Sequence, residues 1–153
     1  MLQYRKANIE DIEELIRLRV EFLKEVGNVP EGSKDDDLKK VLYDYFNAAM
    51  PREELVAWLA MEDDDIIGTS GLSFYTLPPS YKNPTGKVAY IMNMYTIPAY
   101  RKSGIAKLLF EKILEEAKQK GYSYISLHAT EKGRPLYLKF GFKDLNTEMT
   151  LKI

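Results

Sequence analysis

Apolar positions recur along this chain with two periods, about 3.6 and about 2 residues, the signatures of helix and strand. Ile12, Leu15, Ile16, Val20 and Leu23 form a helical stripe. Asn8 ahead of them is a good N-cap and Gly27 a good terminator, so a first helix is predicted there. Residues 4–7 before it read as a short strand. Residues 27–32, Gly-Asn-Val-Pro-Glu-Gly, read as a loop. Ser33 is then the predicted cap of a second helix, whose first turn sets Asp35, Asp36 and Asp37 against the positive end of the helix dipole. The period then shortens. Residues 55–61 and 66–75 read as the strands of a hairpin turning at 62–65, and Pro78, Pro79, Asn83, Pro84 and Gly86 mark a long loop. Residues 88–97 are another strand, stopped by Pro98. Beyond Gly104, Ile105, Leu108, Leu109, Ile113 and Ala117 share one helical face, with Lys107, Glu111, Glu115 and Lys118 mostly on the other, and Gly121 ends the helix. A strand at 124–128, a short helix at 134–140 and a final hairpin or strand pair from Phe142 onward complete the reading. This order is α+β, a mixed sheet with helices on its faces, and 88–128 has the length of one βαβ crossover.

At 153 residues the chain is most simply a single domain spanning 1–153, long enough to bury a sizeable core. Its 45% hydrophobic and 29% charged content is that of a soluble globular protein. The net charge of −1 leaves no overall basic field for nucleic acid. No apolar run approaches the roughly 18 residues of a membrane span, and Met-Leu-Gln-Tyr-Arg-Lys lacks the apolar core of a signal peptide. The expected location is cytoplasmic, with neither membrane nor nucleic acid as partner. Without cysteine, and with His128 as the one histidine, neither a thiolate nor a multi-histidine metal site can form. No metal is expected. A serine triad would need His128 and a Gly-x-Ser-x-Gly elbow that is missing.

The candidate chemistry begins at Tyr100-Arg-Lys-Ser-Gly-Ile-Ala106, a basic turn directly before a helix. Gly104 permits unusual dihedrals, Ala106 keeps the first turn free of bulk, and early N–H groups lacking intrahelical acceptors suit a pyrophosphate. A surface helix capped by Ser103 explains the same residues, and on this stretch alone both readings stand.

The flanks add a resemblance. Arg101, Gly104 and Ala106 fit the Arg/Gln-x-x-Gly-x-Gly/Ala pattern of the GNAT acyltransferases, the last by the permitted alanine. Asn93-Met-Tyr-Thr-Ile-Pro-Ala-Tyr100 resembles that family's strand ending in a proline shortly before the arginine. Gly133-Arg-Pro-Leu-Tyr-Leu-Lys-Phe-Gly-Phe142 resembles its downstream motif, and Arg5-Lys-Ala with Asp11 and a helix resembles its opening. The resemblance spans nearly the whole chain. It implies a mostly antiparallel mixed sheet of about six or seven strands, helices on both faces and a splayed central strand pair.

It also implies an N-acetyltransferase that moves an acetyl group from acetyl-CoA to a primary amine of a small molecule or peptide, by direct attack through a tetrahedral intermediate. The backbone of Met94, Tyr95 and Thr96 then pairs with the pantetheine arm as an added strand. Arg101, Lys102, Ser103, Gly104, Ile105 and Ala106 hold the pyrophosphate. Met94 contributes a backbone N–H to the oxyanion, and Tyr137 is the general acid near the CoA sulfur. Many relatives place a glutamate on the strand before the motif, but 88–97 here has no carboxylate. Asn93 is therefore a candidate relay to water, in a role typically worth about 10²–10⁴-fold. Glu21 and Glu25 on the first helix are candidates to bind or deprotonate the amine, although a solvated helix face explains both. His128 is a candidate to hydrogen-bond near the sulfur or to help bind substrate, and Tyr75 and Tyr81 beside the proline loop are candidate acceptor contacts. Phe74 reads as core. The acceptor stays open among polyamines, amino acids, antibiotics, protein N-termini and lysines. Homodimer pairing through sheet edges or C-terminal strands is common in such proteins.

A competing reading is a CoA-binding sensor or interaction domain that has kept the fold and lost the chemistry. The missing carboxylate favours it and Tyr137 opposes it. A nucleotide- or RNA-binding phosphate module lacks Gly-Lys-Ser/Thr and a basic stripe.

Overall fold

A computed structural model describes residues 1–27 and 29–153; of the loop expected at 27–32, Asn28 lies outside the described residues. Strands β1 (Leu2–Lys6), β2 (Leu55–Glu62), β3 (Asp65–Thr76), β4 (Lys87–Thr96) and β5 (Ile125–Leu127) lie side by side in that order. Neighbours are antiparallel from β1 to β4, while β4 and β5 run parallel and are joined across helix α3 (Ile105–Gln119). Helices α1 (Ile12–Val26) and α2 (Asp35–Ala49) cover one face, and α3 with α4 (Arg134–Lys139) the other.

The helical stripe read from the sequence is what packs. Ile12, Ile16 and Val20 of α1 meet Leu42, Phe46 and Ala49 of α2, while Leu15 and Leu18 meet Ala57, Leu59 and Met61 of β2. On the other face Ile105 and Leu109 of α3 lie against Ala60 and Ile67, and Phe110 and Ile113 against Leu72, Ala89 and Ile91. Both faces of β2 are therefore covered, which is why its sequence reads as an almost continuous apolar run instead of an alternation.

Three expectations change. Asn8 does open the first helical segment, but through a 3₁₀ turn, Ile9–Asp11, that runs into α1. Ser33 does not cap α2. The helix starts at Asp35, which puts Lys34, in extended conformation, at the cap position and Ser33 one residue outside it, in a turn where its N–H donates to the Pro30 carbonyl at 3.1 Å. The sheet has five strands, not about six or seven, because residues beyond Phe142 form no hairpin. Every residue from Lys143 to Ile153 is exposed, Leu145, Met149, Leu151 and Ile153 included, so no apolar face is buried to hold a strand pair there. β5 is left at the sheet edge.

The start of α1 is fixed by Asp11. Its Oδ2 accepts the Asn8 N–H at 2.8 Å while Asn8 Oδ1 accepts the Glu10 N–H at 2.8 Å, and both Asp11 oxygens take the Arg5 fork at 2.8 Å each. The hydrogen bonds from Arg5, opposed by burial, hold the Asp11 carboxyl below its ordinary range. A depressed folded-state value stabilises the fold above the unfolded carboxyl's pKa, about 3.9, and that contribution fades as pH falls through the folded-state value. Asp11→Ala is expected to cost about 1–2 kcal/mol in urea unfolding at neutral pH. The difference from wild type should shrink below about pH 4; a pH-independent difference would remove Asp11's charge from the account.

Candidate active site

β4 and β5 pair only through Ala89–Ile125, Tyr90–Ser126 and Ile91–Leu127. Just past that point β4 bulges: Gly71 of β3 faces Met92 and Thr69 faces Tyr95, leaving Asn93 and Met94 opposite Ser70 alone. Asn93 takes φ of 55°, the left-handed conformation such a bulge requires. The two parallel strands separate there and do not pair again. Between Met94–Thr96 on one side and Thr130–Gly133 on the other runs a groove of about 580 Å³, the size range of small-molecule sites.

The groove ends on the N-terminus of α3. Gly104 occupies the cap position with φ of 86° and offers no side chain to the first helical N–H groups. Ser103 does not supply the cap either, since its hydroxyl donates to the Tyr100 carbonyl at 2.5 Å. The capped-surface-helix reading therefore fails, and the opening turn of α3 is left to an external acceptor. A Cβ built at Gly104 meets nothing within 4 Å, so the turn faces open space. With Lys102 also at positive φ, 62°, the segment has the alternating left-handed character of anion-binding backbone nests.

Arg101 is fixed on three sides. Nε donates to the Thr96 carbonyl at 2.8 Å, its two terminal nitrogens reach both Glu25 oxygens at 2.5 and 2.6 Å, and its guanidinium lies 5.4 Å from the Tyr95 ring centre. Lys132 reaches the same carboxylate at 3.1 Å. Hydrogen bonding from Arg101 lowers the Glu25 carboxyl to about 2, with Lys132 adding to the effect against some burial. A carboxylate of that strength is a poor acceptor for an ammonium proton. Glu25, named from sequence as an amine-binding or deprotonating group, instead braces the basic rim of the groove. Glu21, one turn earlier, is exposed and forms no ion pair among the described residues.

Tyr137 lines the groove from α4. Its ring packs 5.2 Å from Phe110 and 6.2 Å from Phe142, centre to centre, and burial pushes its phenol above the ordinary value, keeping the proton on at neutral pH. No described protein group hydrogen-bonds its hydroxyl. Gly133 makes this placement feasible, because a Cβ there would sit 2.9 Å from the Tyr137 ring edge and hydroxyl.

A second polar cluster lies around the bulge. Buried Asn93 accepts a hydrogen bond from Arg19 Nη1 of α1 through its Oδ1 at 2.6 Å. Tyr90 and His128 Nδ1 are 2.6 Å apart, and His128 Nε2 bonds Glu148. Tyr75 is half-exposed, and Tyr81 projects fully into solvent from the proline loop. Arg19, Lys132 and Glu148 were not singled out from the sequence. Arg19 alone had a readable signal: it lies three residues after Ile16 and four after Leu15, inside the apolar stripe. Among the described residues no cluster of three His, Asp or Glu side chains converges as metal ligands.

Residues 13–142 match the acetyltransferase (GNAT) family. A Clostridium acetobutylicum protein, described as a predicted acetyltransferase and crystallised with acetyl-CoA, is 39% identical and superposes with a TM-score of 0.92, covering 99% of this chain and 96% of that one. YsnE of Bacillus subtilis, an uncharacterized N-acetyltransferase, is 30% identical over 95 residues, and the glucosamine 6-phosphate N-acetyltransferase of Trypanosoma brucei brucei is 28% identical over 88. These two alignments cover 59% and 58% of this chain, and only 57% and 58% of the length of those proteins. By its profile over most of its length, together with the parted strands and the uncapped helix that follows them, the chain belongs to the GNAT acetyltransferase family.

Proposed function

We propose that this protein is an N-acetyltransferase that uses acetyl-CoA to acetylate a primary amine of a small molecule or peptide. The observation that carries the reading is the uncapped N-terminus of α3, aimed at the end of a groove that opens where β4 and β5 separate and that Tyr137 lines.

The residues fit the group. The N–H groups of the 101–106 turn receive the pyrophosphate, with Arg101, Lys102 and Lys132 supplying positive charge. The Met94–Thr96 backbone, released from pairing with β5, offers strand-like hydrogen bonds to the pantetheine arm. Bound acetyl-CoA supplies an acetyl group activated as a thioester. The Met94 N–H, beside the bulge, donates to the acetyl oxygen as negative charge gathers on it. Tyr137, held protonated by burial, delivers a proton to the sulfur. His128, hydrogen-bonded to Tyr90 through Nδ1 and to Glu148 through Nε2, is the side chain proposed to take the amine's proton. It takes over the duty sought in a strand carboxylate, and Asn93, whose oxygen is occupied by Arg19, orients the acceptor through its NH₂ group.

Calorimetric titration of CoA-free protein with acetyl-CoA, with ATP and NAD as controls, followed by an amine screen read by thiol release, tests the reading. Micromolar CoA-selective binding with turnover supports it; binding without turnover of any amine moves the protein to a CoA sensor, and no binding by folded protein overturns both. Gly104→Glu, which places a carboxylate in the cradle, is expected to weaken acetyl-CoA at least about tenfold while costing only about 1 kcal/mol of stability. Tyr137→Phe is expected to lower kcat about 10²-fold with little change in the acetyl-CoA KM; an unchanged kcat removes Tyr137 as the acid.

A further inference from the structure

Arg19 is placed where an arginine is costly. It sits between Leu18 and Val20, which are 0% and 4% exposed, on the face of α1 that packs against the sheet. Arg5, Arg17, Arg101 and Arg134 each hold a carboxylate. Arg19 holds none among the described residues. Of its five donors, one terminal nitrogen serves Asn93 at 2.6 Å, and the Nε is buried with no acceptor among the described residues. Burial pushes the guanidinium down, partly offset by the nearby Tyr90 and Tyr45 hydroxyls. An arginine cannot escape that cost by shedding its proton at physiological pH.

The surroundings suit a ligand better than a structural ion pair. Tyr45 of α2 and Tyr90 of β4 neighbour the guanidinium, and each is held by a further hydrogen bond, to Ser73 Oγ at 3.1 Å and to His128 Nδ1 at 2.6 Å. Asn93, the residue Arg19 touches, is adjacent in the chain to Met94 of the groove, and Phe22, one turn along α1 from Arg19, lines that groove. The unpaired charge therefore lies beside the point where the strands part, set apart along the chain from the cradle at 101–106. If bracing the bulge were its sole task, a neutral amide would do as well without the desolvation cost.

We propose that Arg19 anchors an anionic group, a carboxylate or a phosphate monoester, carried by the acceptor amine. Both present paired oxygens that match the terminal nitrogens of a guanidinium fork, of which only one is occupied among the described residues, by Asn93. The proposal rests on the acetyl-transfer reading for the identity of the ligand as an acceptor, and it makes Arg19 a specificity-determining residue that selects amines bearing negative charge.

The test is equilibrium binding to protein saturated with CoA, so that the cradle at 101–106 is already filled. Matched amines are titrated: an amino sugar with and without a phosphate, and an amino acid against its carboxamide. At least one anionic member is expected to bind about tenfold tighter than its neutral match, and the pair that discriminates tells phosphate from carboxylate. Arg19→Gln is expected to abolish that discrimination and leave CoA affinity unchanged; Arg19→Lys, which keeps charge but loses the fork, is expected to retain part of it. Equal or tighter binding of the neutral members, or discrimination that survives in Arg19→Gln, overturns the proposal. If the glutamine variant does not fold, the matched pairs on the native protein still decide. Binding is read without turnover, so an anion preference with no acetylation would overturn the enzyme reading and leave the anchor standing, while acetylation with no anion preference does the reverse.

Discussion

The site depends on the early end of one strand pairing. Hydrogen bonding between β4 and β5 stops after Ile91 and Leu127, and the bulge at Asn93 prevents the strands from meeting again. Here the ladder is cut within the fold, which leaves strand backbone free beside a packed core. The core tolerates the gap because α3 still spans it: Phe110 and Ile113 pack on Ala89 and Ile91 below the separation, and Tyr137 and Phe142 close over Phe110 above it. Aromatic packing thus does what the missing ladder does not.

The two sides of the parting differ chemically. Toward α3 the groove is cationic at its rim and meets an unfilled helix terminus. On the side of the bulge toward α1 and α2 lie hydroxyls, an amide, an imidazole and a guanidinium with no counter-ion among the described residues. The bulge residue joins them, since Asn93 touches Arg19 on one side while its neighbour Met94 belongs to the groove on the other. Arg19 of α1 and Arg101, in the turn before α3, are two guanidinium groups near the parting.

Much of this was legible from the sequence because it is local. The cradle, the Gly133–Phe142 segment and the order of helices and strands are written in contiguous residues whose spacing has direct structural meaning. What escaped was long-range or concerned competition among neighbours. Glu25 looked like a solvated helix acid because its partner is 76 residues away. Ser33 has the chemistry of a cap, but the helix starts one residue too late for it, with Lys34 at the cap position. The strand pair expected after Phe142 had alternating apolar residues, Met149, Leu151 and Ile153, yet nothing in the chain covers them. Arg19 was visible as an interruption of the α1 stripe, and its meaning became clear only when no acid was found across from it.

Glu25 bears on how quickly and tightly the groove can be filled. Long basic side chains at an anion site usually sample many rotamers, and confining each costs about 1.5–2 kcal/mol of entropy. Here Arg101 and Lys132 are already gathered onto one carboxylate, with Arg101 tied as well to the Thr96 carbonyl. Folding thus orders Arg101 in particular, which is held at both ends of its guanidinium. The carboxylate also tempers the rim's charge, so the groove presents a partly neutralised frame in which backbone geometry counts for more than raw charge.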